Sequence, residues 1–384
     1  MLAQAELRSY LQLAFTPYLG IVSFLRLINH WQHPKRILDM SFSAVRPWLD
    51  KPNQVQPYWN SSQILTTMVE PALIWLNEGK NNCHILTLFD DDYPLSLSEI
   101  HHPPPVLFLK GNLHLLTLKK IAIVGSRQAT PQGLAIAKQT AENLSAQNFC
   151  IVSGMASGID GAAHEGALKQ SGGTIAVLGT GIDIVYPKHH LNLAHHIAEK
   201  GLLISEFPLG TRANAANFPI RNRIIAGLSL ATVIVEASLH SGSLITARLA
   251  MEQGKDVMAF PGSIFSPQAK GCHHLIKQGA KLVESSEEIS EDYRSQNQTL
   301  LSPLSPILKD PPTPTSRLTQ DSHAQKIISL LSNQLLHPDE ICLQLKLENE
   351  QVQSILLALE LDGFIKRNMD GRYPVSYTHL RAHE

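Results

Sequence analysis

Between Glu206 and Glu236 the chain carries three arginines, Arg212, Arg221 and Arg223, and neither a lysine nor an acid. That is +3 locally in a chain whose net charge is −1. Two of the three fall in "NFPIRNRIIAGLS", Asn217 to Ser229, which reads as a polar helix start running into core. A guanidinium at a helix N-terminus has the wrong sign for the helix dipole, so an anion beside it is favoured. Phosphate matches the guanidinium fork; salt bridges to Glu206, Glu236 or Asp183 would answer the same charge. Phe218 offers a ring on which a base can stack, and Asn222 sits between the arginines.

Five more segments are candidates for related chemistry. In "GSRQATPQG", Gly125 and Ser126 turn the chain, and Thr130 is placed to cap a helix with Pro131 at its first position. The free N–H groups there, with Arg127 beside them, suit a phosphate; an ordinary glycine turn is the other reading. In "SGMASGIDGAAHEGAL", Gly154, Gly158 and Gly161 allow close backbone approach. Asp160 and His164 lie four apart, either an acid–base or metal pair, or a helix-start carboxylate and a packed imidazole. "GTGIDIVYPKHH" sets Tyr186 beside Lys188, His189 and His190, which suits a stacked nucleotide and its phosphate or a capped helix start. "EASLHSGSLITA" opens a helix at Ser241, Gly242 and Ser243. "GCHHLIKQG" has Cys272, His273 and His274 but no companion ligands at metal spacing.

There is no GxGxxG and no GxxxxGK[ST], hence neither the dinucleotide fingerprint nor an ATP-binding P-loop. No activated serine or cysteine nucleophile is visible, and nothing near Glu206 or Glu236 would push their pKa values apart for acid–base work. Repeated phosphate-friendly loops suit a polymer backbone better than one small ligand. The expectation is a binding protein, not an enzyme, with no cofactor and no metal.

These loops need a scaffold. "LKKIAIVGS", "NFCIVSG", "GTIAVLG", "GLLISEF", "ATVIVEA", "DVMAFPG" and "AKLVES" are short Val/Ile-rich runs alternating with helical stretches. Near-continuous apolar strands alternating with helices predict a doubly wound parallel sheet of seven strands over 86–294, with ligands beyond the carboxyl ends of its strands. Residues 1–85 read as a small helical domain, like SAM or helix-hairpin-helix modules, or as a plain helical bundle. Residues 295–318, containing "LSPLSPILKDPPTPTS", read as a Pro/Ser-rich linker. Residues 319–376 suggest three helices and a hairpin turning at Asp370-Gly371, a winged helix. Residues 377–384 fit no packing pattern and read as a non-native tail.

The 384 residues, 43% hydrophobic and 17% charged, describe a globular chain of two or three domains. Cys83, Cys150, Cys272 and Cys342 form no CxxC, which argues for reduced thiols. With no apolar run of membrane-spanning length, the chain reads as soluble and cytoplasmic.

Taken in order, the seven strand-and-loop motifs from Leu86 to Ser286 resemble the DNA-processing protein A (DprA/Smf) family. The resemblance implies an extended Rossmann-like fold that binds single-stranded DNA without ATP or metal, protects it, and loads the RecA recombinase in natural transformation. It implies a homodimer formed through the sheet domain. The contact positions it implies are Gly125, Ser126, Arg127, Lys188, Phe218, Arg221, Asn222 and Arg223, with Ser241 and Ser243, and it sets the dimer and RecA surfaces around 247–278. The chain departs from the family pattern in the "LGTRANAAN" loop, at His240 and at Ser157, each costing a cation that Arg212 partly replaces. A nucleoside-monophosphate phosphoribohydrolase on a related fold is the competing reading, though "EASLHSGSL" lacks the "PGGxGT" loop of those enzymes. A ligand-sensing winged-helix regulator is the third.

Overall fold

The computed structural model describes residues 4–79 and 82–294, together with parts of 326–359. The expected linker 295–318, the hairpin turn at Asp370-Gly371 and the tail 377–384 lie outside the described residues.

Nine strands form one sheet: β1 Cys83–Thr87, β2 Val106–Gly111, β3 Lys120–Val124, β4 Cys150–Ser153, β5 Thr174–Val177, β6 Leu202–Ser205, β7 Ala231–Ile234, β8 Asp256–Ala259 and β9 Lys281–Leu282. Their order is β1-β2-β6-β5-β4-β3-β7-β8-β9. From β6 to β9 every pairing is parallel, and β3 through β7 are buried along their whole length, as strands covered on both faces must be. β1 and β2 are antiparallel additions at the β6 edge, so the sheet has two strands more than the seven expected and opens at Cys83. Each is a lone short apolar run, which periodicity cannot assign. Their long connection is anchored where Thr87 donates to Asp90 Oδ2 through N and Oγ1, both 2.8 Å, and where the Tyr93 hydroxyl donates to Pro104 O at 2.8 Å.

Among the described residues the helices of eight or more residues are α1 Gln4–Ala14, α2 Ile21–Trp31, α3 Glu70–Glu78, α4 Pro131–Ala146, α5 Ile159–Ala167, α6 Leu191–Lys200, α7 Asn217–Leu228, α8 Ser243–Glu252, α9 Lys270–Lys277, α10 Ser286–Arg294 and α11 Pro338–Leu345. Alternation along β3 divides the core. Ile121 and Ile123 face α4, α5 and α10, whereas Ala122 and Val124 face α7, α8 and α9. α4 and α5 approach closely because small residues line their contact: a Cβ on Gly166 would lie 2.1 Å from Lys138 O. The N-terminal helices share a core with β1, β2, β5, β6 and α6, where Leu11, Phe24 and Leu27 meet Phe108, Ala176 and Ile197. Residues 1–301 therefore make one compact unit, helical segment included. In the second unit, 302–384, Ile327, Leu331, Leu336, Ile341, Val352, Leu356 and Leu359 form a small separate core. Among the described residues no helix is long and apolar enough to cross a membrane.

Candidate functional site

Strand order reverses between β3 and β7, and beyond the carboxyl ends of these strands lies a cleft of ≈680 Å³. The loop after β3 forms one wall. Ser126 N donates to Glu236 O at 2.7 Å, which fastens this loop to the end of β7. Gly125 passes through the gap, where a Cβ would lie 2.6 Å from Ile159 Cγ1. Ser126 Oγ accepts from Gln128 N at 3.1 Å, and between them Arg127 is exposed at the cleft. Thr130 caps α4, with Pro131 at its first position: its Oγ1 accepts from Gly133 N at 3.0 Å and donates to Glu236 Oε1 at 2.6 Å. Thr130 N donates to Glu236 Oε2 at 2.8 Å. Both carboxylate oxygens of Glu236 are thus engaged in bracing the β3 loop.

α7 supplies the floor. Arg221 is only 3% exposed. Its Nη1 donates to Val177 O at 2.6 Å, and its Nε is buried without a partner. The guanidinium lies over Gly154, where a Cβ would come within 2.1 Å of Nη1. Burial lowers the Arg221 pKa to about 10, against the attraction of Asp160, and Arg127 adds to the fall. Burial raises Asp160, which Arg221 and the N–H groups of Ala156 (3.4 Å) and Gly154 (3.1 Å) oppose. Among the described residues Arg221 makes no ion pair, so the floor holds a cation that is only partly compensated.

Phe218 stands on this floor. Its ring centroid is 5.4 Å from Arg127 Cζ, 6.0 Å from Arg221 Cζ, and 5.4 Å from the ring of Tyr186. Glycine at 179 makes room for it, since a Cβ there would meet Phe218 Cδ1 at 2.8 Å. The N-terminus of α8 closes the other side through Ser241 and Ser243, whose hydroxyls are 2.7 Å apart. Cations, an aromatic ring and a helix N-terminus around one opening can hold a phosphodiester and stack its base.

Of the expected contact residues, Gly125, Ser126, Arg127, Phe218, Arg221, Asn222, Ser241 and Ser243 line this cleft, and Lys188 and Arg223 do not. Lys188 is exposed in the turn Lys188–His190, two residues from Tyr186. Arg223 is turned about 200° around α7 from Arg221. It pairs with Glu206 and lines a different, largely apolar cavity of ≈600 Å³. Burial raises the Glu206 carboxyl, with Arg223 opposing. The two arginines of the opening stretch therefore part company: Arg221 faces the cleft, and Arg223 makes the salt bridge to Glu206 that the sequence offered as the alternative to phosphate.

Asp160 and His164 resolve as structure. The His164 imidazole is fully buried, with Nδ1 2.7 Å from Thr174 Oγ1 and Nε2 accepting from Met155 N at 3.3 Å. Burial drops its pKa to about 3. The sequence reading did not join Asp160 to Arg221, or Glu236 to Thr130, because only the topology brings these strand ends together. Gln128, Ser238, Thr246 and Gln268 add to the polar lining and carried no local signal. Among the described residues no cluster could hold a metal ion.

An open parallel sheet with its cleft at the reversal of strand order defines a Rossmann-like ligand-binding protein, here one equipped for anions and flat rings. The chain belongs to the DNA recombination-mediator protein A family, whose model matches residues 84–294, and a DprA winged helix domain matches 310–371. It is 47% identical over 207 residues to the DNA processing protein DprA of Streptococcus pneumoniae, covering 54% of this chain and 73% of that one. With protein Smf of Escherichia coli it shares 45% identity over 225 residues, 58% of this chain and 60% of the relative's length. The crystal structure of the S. pneumoniae protein superposes with a TM-score of 0.64 at 36% identity, over 74% of this chain and 97% of that one. DNA processing protein A of Helicobacter pylori, described with a unique single-stranded DNA binding mode, superposes with a TM-score of 0.52 at 28% identity, over 57% and 98%.

Proposed function

We propose that this chain binds single-stranded DNA in the cleft without reading its sequence, protects it, and delivers it to the RecA recombinase during recombination and natural transformation. On this reading it works in the cytoplasm as a homodimer joined through the sheet domain, and it catalyses no reaction. The observation that carries the proposal is the cleft floor: a buried, incompletely partnered Arg221 beneath Phe218, with the exposed Arg127 at 5.4 Å from the same ring. Phosphates would meet the arginines and the N-terminus of α8, and a base would stack against Phe218 and Tyr186. The single-strand binding of the H. pylori relative supports the choice of ligand. Single strands are favoured because an unpaired base is free to reach a ring set in a cleft.

The test is a salt-titrated comparison of oligothymidylate with duplex DNA. The expected result is preference for the single strand and an affinity that falls steeply with salt as counterions are released. Equal affinity for both, or release of free base from nucleoside monophosphates, would overturn the proposal. The hydrolase reading is weakened by Glu236, whose carboxylate is held by Thr130 and does not line the cleft.

A further inference from the structure

A second surface with the chemistry of a single-strand contact lies in the N-terminal helices. α2 buries Phe24, Leu27 and Ile28 and ends on the pair His30-Trp31. The His30 ring stacks on Trp48, with centroids 4.2 Å apart and planes at 29°. It meets Trp31 edge-on at 4.5 Å, and the two indoles are 5.3 Å apart. His30 is exposed and both indoles are half-buried, so the cluster is a ringed platform at the surface, with its underside on the helical core. The loop bearing Trp48 is fixed to α2: Asp50 accepts from Arg26 Nη1 at 2.7 Å and from Ser23 Oγ at 3.0 Å.

The segment that carries the three rings is basic. From Arg26 to Lys51 there are five lysines and arginines against two aspartates, net +3 in a chain of net charge −1. Arg26 is committed to Asp50. Lys35, Arg36, Arg46 and Lys51 are exposed, and among the described residues none pairs with a carboxylate. The platform is also connected to the cleft. At the other end of α2, Ile21 and Phe24 line the apolar cavity shared with Pro219 and Ile220 of α7, the helix that carries Phe218 and Arg221. α2 has eleven residues and is about 16 Å long, a span that a few nucleotides of single strand cover.

We propose that the N-terminal helices form a second single-stranded DNA contact, in which bases stack on the His30–Trp31–Trp48 platform and Lys35, Arg36, Arg46 and Lys51 neutralise the phosphates. The strand leaving the main cleft runs past α7 and along α2 to reach it. This rests on the reading of the cleft as a single-strand site. Rings at the surface interleaved with cations that have no carboxylate partner fit a polyanion bearing flat bases, and stacking of this kind tolerates any sequence.

The four tryptophans of the chain, Trp31, Trp48, Trp59 and Trp75, all lie in the helical segment and none in the parallel sheet. Intrinsic fluorescence therefore reports on the helical segment. The experiment titrates the full chain with oligothymidylates of about 5 and about 20 nucleotides, chosen to fill one contact or both. The long strand should quench tryptophan fluorescence and the short one should leave it nearly unchanged. Trp48→Phe, which keeps an apolar ring, should remove much of the quench. The exposed double substitution Lys35→Glu with Arg36→Glu should weaken the long strand by about tenfold or more, lower its salt slope by about 1.4, and leave the short strand within about twofold. Equal long-strand affinity in the double variant, or no quench by the long strand, would overturn the second contact while short-strand binding kept the cleft reading intact. Loss of short-strand binding altogether would instead mark failure of the cleft reading. Polyglutamate quenching and competing as well as the long strand would assign the surface to acidic peptides and also overturn the proposal.

Discussion

Arg127 and Arg223 have the same charge and lie on opposite sides of the α7 start, so replacing each with alanine separates DNA contact from structural neutralisation. Arg127 is exposed, and among the described residues it makes no ion pair. Its removal leaves no buried group stranded, and folding stability should change by less than about 0.5 kcal/mol. If its guanidinium meets one phosphate, the variant loses a charged hydrogen bond worth about 1.5 kcal/mol or more, roughly tenfold in affinity. The slope of log affinity against log salt should flatten by about 0.7, one counterion's share on a single strand. Between 50 and 200 mM salt the gap between wild type and Arg127→Ala should therefore narrow by about 2.6-fold.

Arg223→Ala should behave in the reverse way. Its side chain is 16% exposed and that of Glu206 11%, so the substitution strands a buried carboxylate. With some water still reaching the pair, a loss near the low end of the usual range, about 3 kcal/mol, is expected in urea denaturation. The salt slope should stay at the wild-type value. Fluorescence anisotropy with a short labelled oligothymidylate measures both slopes. A flattened slope in Arg223→Ala, with Arg127→Ala unchanged, would refute the division of labour around α7.

Three other expectations can be checked directly. Phe218→Ala should weaken single-strand binding by about 1–3 kcal/mol with no change in salt slope, because a ring and not a charge is lost; an altered slope would sink the stacking role. His164 has a folded pKa of about 3, below its unfolded value, so its contribution to stability is fully present above about pH 6.5 and fades as pH falls. Between pH 6.5 and 5 the wild type should lose about 1.6 kcal/mol relative to His164→Gln in parallel urea titrations, and matching slopes would refute the assignment. Gly166→Ala, ordinarily a gain of about 1 kcal/mol within a helix, should instead cost about 1–3 kcal/mol because its Cβ would strike Lys138 O at 2.1 Å. A raised melting temperature would show that α4 and α5 can yield there.

The parallel sheet was legible because buried strands advertise themselves as Val/Ile runs between helices, and Thr130-Pro131 marked the start of α4 two residues at a time. β1 and β2 were not: "CHILT" and "VLFLKG" carry the same kind of run without a helix on each side, and the proline-rich approach to β2 resembles a loop. In the cleft, local sequence found the residues but not their orientation. Asn217 to Arg223 reads as one cationic stretch, yet helical geometry sends Arg221 inward over Gly154 and Arg223 away to Glu206. Which face meets the cleft is set by α8 packing beside α7 through Ile224, Ile225 and Ala247, and no residue within the stretch encodes that.

The same geometry explains how a chain with slightly negative net charge can present a cleft suited to a polyanion. Four carboxylates stand near the strand ends, and each is engaged by a partner within the protein. Glu236 accepts from Thr130, Asp183 from Gly210 N at 3.0 Å, Asp160 from Gly154 N, and Glu206 takes Arg223. Their charge is answered within the protein by backbone N–H groups, the Thr130 hydroxyl, Arg221 and Arg223, while Arg127 and the N-terminus of α8 face the opening. Local orientation, and not the sum of charges, sets the sign of the potential an approaching strand meets. The carboxylates also hold the loops that carry the arginines, so removing one does not simply make the cleft more positive. Glu236→Gln keeps one acceptor for Thr130 but loses the charge that draws both donors, and the β3 loop bearing Arg127 loosens with it. That variant should therefore bind a short oligothymidylate more weakly despite its gain in positive charge. Tighter binding would show that charge, and not the placement of Arg127, governs affinity.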